Sequence, residues 1–152
     1  MRITTLSTAL ATIVTLSGCA SITGNTPESL FSSEYQTAPQ RISASQQSVN
    51  ERVQKSLTSC YGNSAGSMMM TNGIAFQAGG ANFQIQEVQQ GNTKRWTVRG
   101  TTIGRYMLGV EVTAVEENTT LVKAYVDNRF WKDALVYVNE SAAGNPAKCP
   151  IR

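Results

Sequence analysis

The sequence predicts one α+β domain: a helix, an antiparallel meander of four or five strands, and a second helix. Apolar residues recur every four positions from Val49 to Leu57, as on one face of a helix. Between Gly66 and Val126 the spacing changes to two, which is the period of a half-buried strand. Helical spacing returns after Asp127, and we expect both helices to cover one face of the sheet.

The first helix is expected to run toward Cys60 and to end at Gly62. Two capping boxes are compatible with its start, Ser43 with Gln46 or Ser48 with Glu51, and the sequence leaves both open. Its apolar stripe is narrow, so one side of the helix should pack while the rest contacts water.

Four strands are recognisable from alternation, and residues 67–77 offer a fifth. Their apolar positions are Phe83 and Ile85, then Trp96 and Val98, then Leu108, Val110, Val112 and Ala114, and last Val122, Ala124 and Val126. Asp127 or Asn128 is expected to cap the second helix. Its predicted packed face holds Phe130, Trp131, Ala134, Leu135 and Val138.

The strand period places a polar set of residues on the sheet face opposite the helices. These residues are Gln84, Gln86, Arg95, Thr97, Arg99, Glu111, Thr113, Lys123 and Tyr125. Arg and Tyr are enriched at interfaces, so Arg95, Arg99, Lys123 and Tyr125 form the candidate partner face. A solvated face with no partner is the alternative, and in either case these side chains should lie outside the core.

The N-terminus has the layout of a secretory signal, because Arg2 precedes about a dozen mainly apolar residues. That stretch is shorter than the roughly 20 residues of a membrane-spanning helix. It ends in Leu16-Ser17-Gly18-Cys19, which resembles the lipobox of bacterial lipoproteins. An ordinary secretory signal that contains a cysteine is the alternative.

The resemblance implies that residues 1–18 are a signal peptide and that Cys19 carries a diacylglycerol thioether, with palmitate among the acyl chains. Ala20 follows, where lipoproteins of the inner membrane often have Asp, so the resemblance implies an outer-membrane anchor facing the periplasm. Residues 19–41 are then the lipidated cysteine and a flexible tether rich in Ser, Thr, Gly and Pro. Leu30 and Phe31 interrupt it with an apolar pair that can dock on the domain and shorten the reach of the tether. Residues 42–152 form the single domain.

With Cys19 lipidated, Cys60 and Cys149 remain as an even pair in an oxidising compartment, and we expect a disulfide between them. A reactive Cys60 thiol is the alternative, but the chain has no His to act as its base.

Several function classes lack support in the sequence. The chain has 13 basic and 10 acidic residues, a balance that argues against nucleic-acid binding. Without His, and with two cysteines paired, no metal site or cofactor is expected, and Met68, Met69 and Met70 alternate sides along a strand. No nucleophile motif is present and the acids have structural roles in turns and caps, so an enzyme is not expected.

Two functions remain, both for a protein held at the membrane by its N-terminal lipid. The first is a non-enzymatic module that binds an envelope protein, as an accessory part of a larger assembly. The second is a carrier that binds a small envelope lipid or glycan between sheet and helices. The oligomeric state is left open.

Overall fold

The computed structural model describes residues 25–62, 68–71, 74–78, 83–101 and 103–150. The described helices are α1 (Pro27–Leu30), α2 (Gln46–Tyr61) and α3 (Lys132–Ala143), with a 3-10 helix at Arg129–Trp131. The strands are β1 (Gln40–Ile42), β2 (Met68–Thr71), β3 (Ile74–Ala78), β4 (Phe83–Gln90), β5 (Thr93–Gly100), β6 (Tyr106–Glu116) and β7 (Thr119–Val126). The α+β class with an antiparallel sheet is confirmed. Within these ranges no helix is both long and apolar enough to cross a membrane.

The strands form one sheet in the order β1-β7-β6-β5-β4-β3-β2, in which every pair is antiparallel. The prediction of four or five strands was therefore too low for the described residues, which contain seven. Residues 67–77 hold parts of two strands instead of one. Strand β1 has three residues, too few to show alternation, and it pairs through Gln40 with Val122 of β7.

Helix α2 begins one residue after Ser45, whose side chain accepts a hydrogen bond from the backbone N–H of Ser48 at 3.3 Å. Neither predicted capping box forms this cap. The helix ends before Gly62 as predicted. A Cβ at Gly62 would lie 2.6 Å from the carbonyl oxygen of Thr58, so only glycine fits this exit from the helix.

The core joins both long helices to alternate residues of the central strands. We call these strand residues the first face: Ile85, Trp96, Val98, Leu108, Val110, Val112, Val122, Ala124 and Val126. Helix α2 contributes Val49, Val53, Leu57 and Tyr61, and α3 contributes Ala134, Leu135, Tyr137, Val138 and Ala142. The indole N–H of Trp96 donates to Asn50 Oδ1 at 3.2 Å. This cluster occupies the space where the carrier hypothesis would place a ligand.

The predicted disulfide is present and joins Cys60 at the end of α2 to Cys149, with the two Cα atoms 5.4 Å apart. The start of the second helix differs from the prediction. Asn128 caps the 3-10 helix, and α3 begins only at Lys132. Because of this extra turn, Phe130 is 81% exposed instead of lying on the packed face.

Residues 25–41 are not a flexible tether. Thr26 and Ser29 form a capping box at the start of α1, and Leu30 is buried with 2% of its surface exposed. The hydroxyl of Thr37 accepts a hydrogen bond from the Ala124 backbone N–H at 3.0 Å. The polar composition favoured a tether, and the apolar pair Leu30-Phe31 was the signal that this segment could dock on the domain. The predicted signal peptide and Cys19 lie outside the described residues.

Candidate functional site

The candidate site lies on the sheet face that the N-terminal segment partly covers. Second-face residues alternate with those of the first face; they are Gln86, Val88, Arg95, Thr97, Gly109, Glu111, Lys123 and Tyr125. Gly109 allows the close approach of the segment. A Cβ at Gly109 would lie 3.0 Å from Leu30 Cδ2 and 3.0 Å from Phe31 Cε1.

Three neighbouring strands bring Arg95, Glu111 and Tyr125 into one hydrogen-bonded network. Arg95 Nη2 lies 2.7 Å from Glu111 Oε1, and Arg95 Nε donates to the same oxygen at 2.8 Å. The Tyr125 hydroxyl donates to Glu111 Oε2. The side chains of Arg95 and Glu111 are 31% and 18% exposed, so this ion pair is partly withdrawn from water.

Burial raises the pKa of the Tyr125 hydroxyl far above its ordinary value, and the hydrogen bond to Glu111 raises it further. Tyr125 therefore remains a donor at physiological pH. Glu111 accepts from Arg95 through Oε1 and from Tyr125 through Oε2. These hydrogen bonds hold the side chains of Arg95, Glu111 and Tyr125 in fixed positions.

The Phe31 ring packs against two members of this network, Tyr125 and Arg95. It meets the Tyr125 ring edge-on with centroids 5.2 Å apart, and the Arg95 guanidinium carbon lies 4.7 Å from the Phe31 centroid. Arg95 is therefore held by an aromatic ring as well as by Glu111. Cation–π contacts of this kind contribute about 0.5–2 kcal/mol each.

A groove of about 330 Å³ opens beside this network, between the N-terminal segment and β4. Its walls are Pro27, Glu28 and Phe31 on one side and Gln86, Val88, Gln90, Arg95, Thr97 and Tyr106 on the other. Apolar surface, amide and hydroxyl groups and charges of both signs converge here, as they do at binding sites. A larger cavity of about 600 Å³ lies between α3 and the residues that follow it, but it is lined mainly by exposed helix and tail residues.

The four residues of the candidate partner face lie in different surroundings in the structure. Arg95 lines the groove. Tyr125 is only 3% exposed, so its predicted place outside the core was wrong, because the period of two does not reveal what covers a face. Lys123 lies over the Tyr125 ring with Nζ 4.9 Å from the centroid. Arg99 Nε donates to the Gly104 carbonyl at 3.2 Å, near the end of the sheet.

The sequence indicated that Leu30 and Phe31 could dock on the domain, and Phe31 does line the groove. Sequence reasoning did not single out Val88 or Tyr106. Tyr106 stands beside a register shift between β5 and β6, which displaces it from the simple alternation, and its hydroxyl lies 3.3 Å from Gln86 Oε1.

In the part of the chain that the structure describes, no three His, Cys, Asp or Glu residues are grouped to hold a metal ion. Comparison with protein-family models, curated proteins and solved structures gives no match.

Proposed function

We propose that this chain is a lipoprotein of the outer membrane, anchored through Cys19, whose domain is a non-enzymatic module that binds another envelope protein. The second-face groove is the proposed contact site, and an extended segment of the partner is the proposed occupant. We also propose that α2 and α3 together cover the first face, which leaves for binding the part of the second face beyond the N-terminal segment. The two helices share one buried cluster with the first-face residues, in support of this arrangement.

One observation carries the binding proposal: Arg95 is fixed by Glu111 and Phe31 while it also lines an open groove. An Arg whose geometry is set before binding loses less side-chain entropy when it meets a partner. Arg and aromatic residues are also the types that dominate binding energy at protein interfaces.

The shape of the groove favours a protein segment over a lipid. About 330 Å³ is near the lower end of the roughly 300 to 1,000 Å³ of small-molecule sites, and an acyl chain would find polar walls at Gln86, Gln90 and Thr97. An extended peptide instead presents amide groups that can pair with these side chains. Glu28 and Arg95 lie among the lining residues and offer contacts to charges of either sign.

A photo-crosslinking amino acid at Gln90 tests this site in the living cell. We expect an adduct with an envelope protein, formed by the lipidated chain and lost when Val88→Trp fills the groove. Val115→Trp is the matched control, because Val115 is 45% exposed near the end of β6 and does not line the groove. A partner that is crosslinked equally in the Val88→Trp variant would contradict the proposed site.

A short envelope glycan is the second candidate. It is favoured by the amides of Gln86 and Gln90 beside the Phe31 ring. Titration of envelope glycan fragments would then shift the amide resonances of these two glutamines and leave those of Val115 and Glu117 unchanged. Unshifted glutamine resonances at saturating fragment concentration would remove this candidate.

A further inference from the structure

Asn25 fixes the N-terminal segment to one end of the sheet. Its side-chain amide donates to the Tyr106 carbonyl at 2.9 Å and its Oδ1 accepts from the Tyr106 backbone N–H. Tyr106 is the first residue of β6, so the chain from Cys19 meets the domain at this end.

Contacts link Tyr106 to the other residues of the same end. Arg105 precedes it and pairs with Asp127 at 3.2 Å, after the last strand. Asn128 follows and accepts from the Phe130 backbone N–H at 2.9 Å. Ile103 lies in the β5–β6 turn against Gly100. We call Asn25, Ile103, Arg105, Arg129, Phe130 and Lys132 the anchor end.

The exposed surface of the anchor end is both apolar and basic. Ile103 is 61% exposed and Phe130 is 81% exposed, and among the described residues the other exposed large apolar side chains are Val115 and Val136. The anchor end holds the basic residues Arg105, Arg129 and Lys132, and Arg99 lies beside it. The acids nearby are Glu28, Glu34, Asp127 and Asp133. Asp127 is only 6% exposed and is already paired with Arg105.

The opposite end of the sheet is more acidic. The β6–β7 turn exposes Glu116 and Glu117, and Glu116 pairs with Arg41 at 2.9 Å. Charge is therefore distributed unequally along the strand direction. The more basic end is the one to which the chain from Cys19 leads, and anionic headgroups attract basic residues at about 1 kcal/mol each.

The distance from Cys19 to the domain restricts how the domain is oriented. Six residue steps separate Cys19 from Asn25, and fully extended they span about 20 Å. Strand β6, with 11 residues, is about 35 Å long and carries the acidic turn at its far end. A lipid on Cys19 therefore keeps the anchor end near the bilayer, while the acidic turn lies one strand length further from the tether point.

We propose that the anchor end docks on the membrane surface, with Ile103 and Phe130 in the headgroup layer and the basic side chains on anionic phosphates. This inference rests on the proposed lipidation of Cys19. The strands then run away from the bilayer, and the groove opens to the side, where a partner protein can reach it.

Indole depth in vesicles tests the proposal with the mature, lipidated chain. The vesicles contain phosphatidylethanolamine and phosphatidylglycerol with brominated acyl chains, which quench tryptophan that enters the bilayer. Ile103→Trp and Phe130→Trp each place an indole at the anchor end, and Val115→Trp is the exposed control at the opposite end. All three retain the native Trp96 and Trp131, so wild-type protein supplies the background.

We expect the added fluorescence of both anchor-end variants to be largely lost, and that of Val115→Trp to be retained. Arg129→Glu combined with Lys132→Glu should restore much of the Ile103→Trp emission. Equal quenching at both ends, or none at Ile103 and Phe130 in a lipidated chain that sediments with the vesicles, would overturn membrane docking alone. An unmodified Cys19, detected by mass spectrometry of the same sample, would overturn the lipoprotein proposal as well.

Discussion

The rings of Phe31 and Tyr125 meet edge-on with centroids 5.2 Å apart, although 94 residues separate them in the chain. Through this contact the N-terminal segment becomes part of the domain and covers part of the second face. Leu30 beside it contacts Gly109, so the segment adds a small second core to the main one. The groove exists because this segment stops short of β4.

Leu30→Ala should release the segment from the sheet. Leu30 is 2% exposed, and removal of a buried leucine side chain costs about 2–5 kcal/mol of unfolding free energy. Urea denaturation measures the loss. Val136→Ala is the control, because Val136 is 63% exposed on α3 and its truncation should change stability by less than about 0.5 kcal/mol. Equal effects of both substitutions would show that the segment does not stabilise the domain.

Glu111→Gln should destabilise the fold more than Glu116→Gln. The first removes the charge that Arg95 and Tyr125 share in a partly buried network, and we expect a loss of about 1–3 kcal/mol. The second breaks the Arg41–Glu116 pair, whose side chains are 59% and 65% exposed, and such pairs contribute about 0–1 kcal/mol. The thermal unfolding temperatures of the two variants, measured side by side, show which substitution destabilises the fold more. A larger loss for Glu116→Gln would contradict the role given to the network.

The disulfide should contribute much of the stability of this domain. It closes a loop with a sequence separation of 89 residues, and the chain-entropy model gives up to about 4–5 kcal/mol for a loop of that length. Cys60→Ser combined with Cys149→Ser should therefore unfold at a markedly lower urea concentration than wild type. Wild type treated with reductant should match the double variant. Free thiols at both positions in protein purified under oxidising conditions would contradict the bond.

Asp127 should make stability depend on pH in the direction opposite to most carboxylates. Burial raises the pKa of its carboxyl above 3.8, although Arg105 opposes the shift. The folded state then holds the proton more tightly than the unfolded chain, so the contribution of Asp127 is fully present below pH 3.8 and declines as pH rises through the folded pKa.

The comparison with Asp127→Asn isolates this effect. The quantity to compare is the unfolding free energy of wild type minus that of the variant. This difference should be larger, that is more positive, at about pH 3 than at about pH 7. Arg105→Gln should widen the change, because it removes the charge that lowers the Asp127 pKa. A difference that stays constant, or that grows with rising pH, would contradict the raised pKa.

The main core was predictable because its signals are periodic. Trp96, Val98, Val110 and Val122 follow the period of two, and all are buried on the first face. The disulfide was predictable by counting cysteines. The apolar pair Leu30-Phe31 indicated that the tether could dock, but a helix of four residues shows no periodicity, so the docked position could not be predicted. Tyr125 was misjudged because alternation placed it on the second face but could not reveal the segment that covers it.

The candidate site was only partly predictable. Arg95 follows from strand alternation, but its fixed position depends on Phe31, which comes from a segment expected to be flexible. Tyr106 lies at a register shift, which a strict period of two cannot describe. Phe130 is exposed because a 3-10 turn precedes α3, and capping signals alone do not distinguish that turn from the start of an α-helix.

The most direct test of the account is the mass of the N-terminal peptide of the mature protein, isolated from outer membranes. The resemblance of residues 16–19 to a lipobox predicts a chain that begins at Cys19 and carries a diacylglycerol thioether, with Cys19→Ala leaving the protein unprocessed or released from the membrane. A mature chain that begins at another residue, or an unmodified Cys19 in membrane-bound protein, would contradict the proposed anchor.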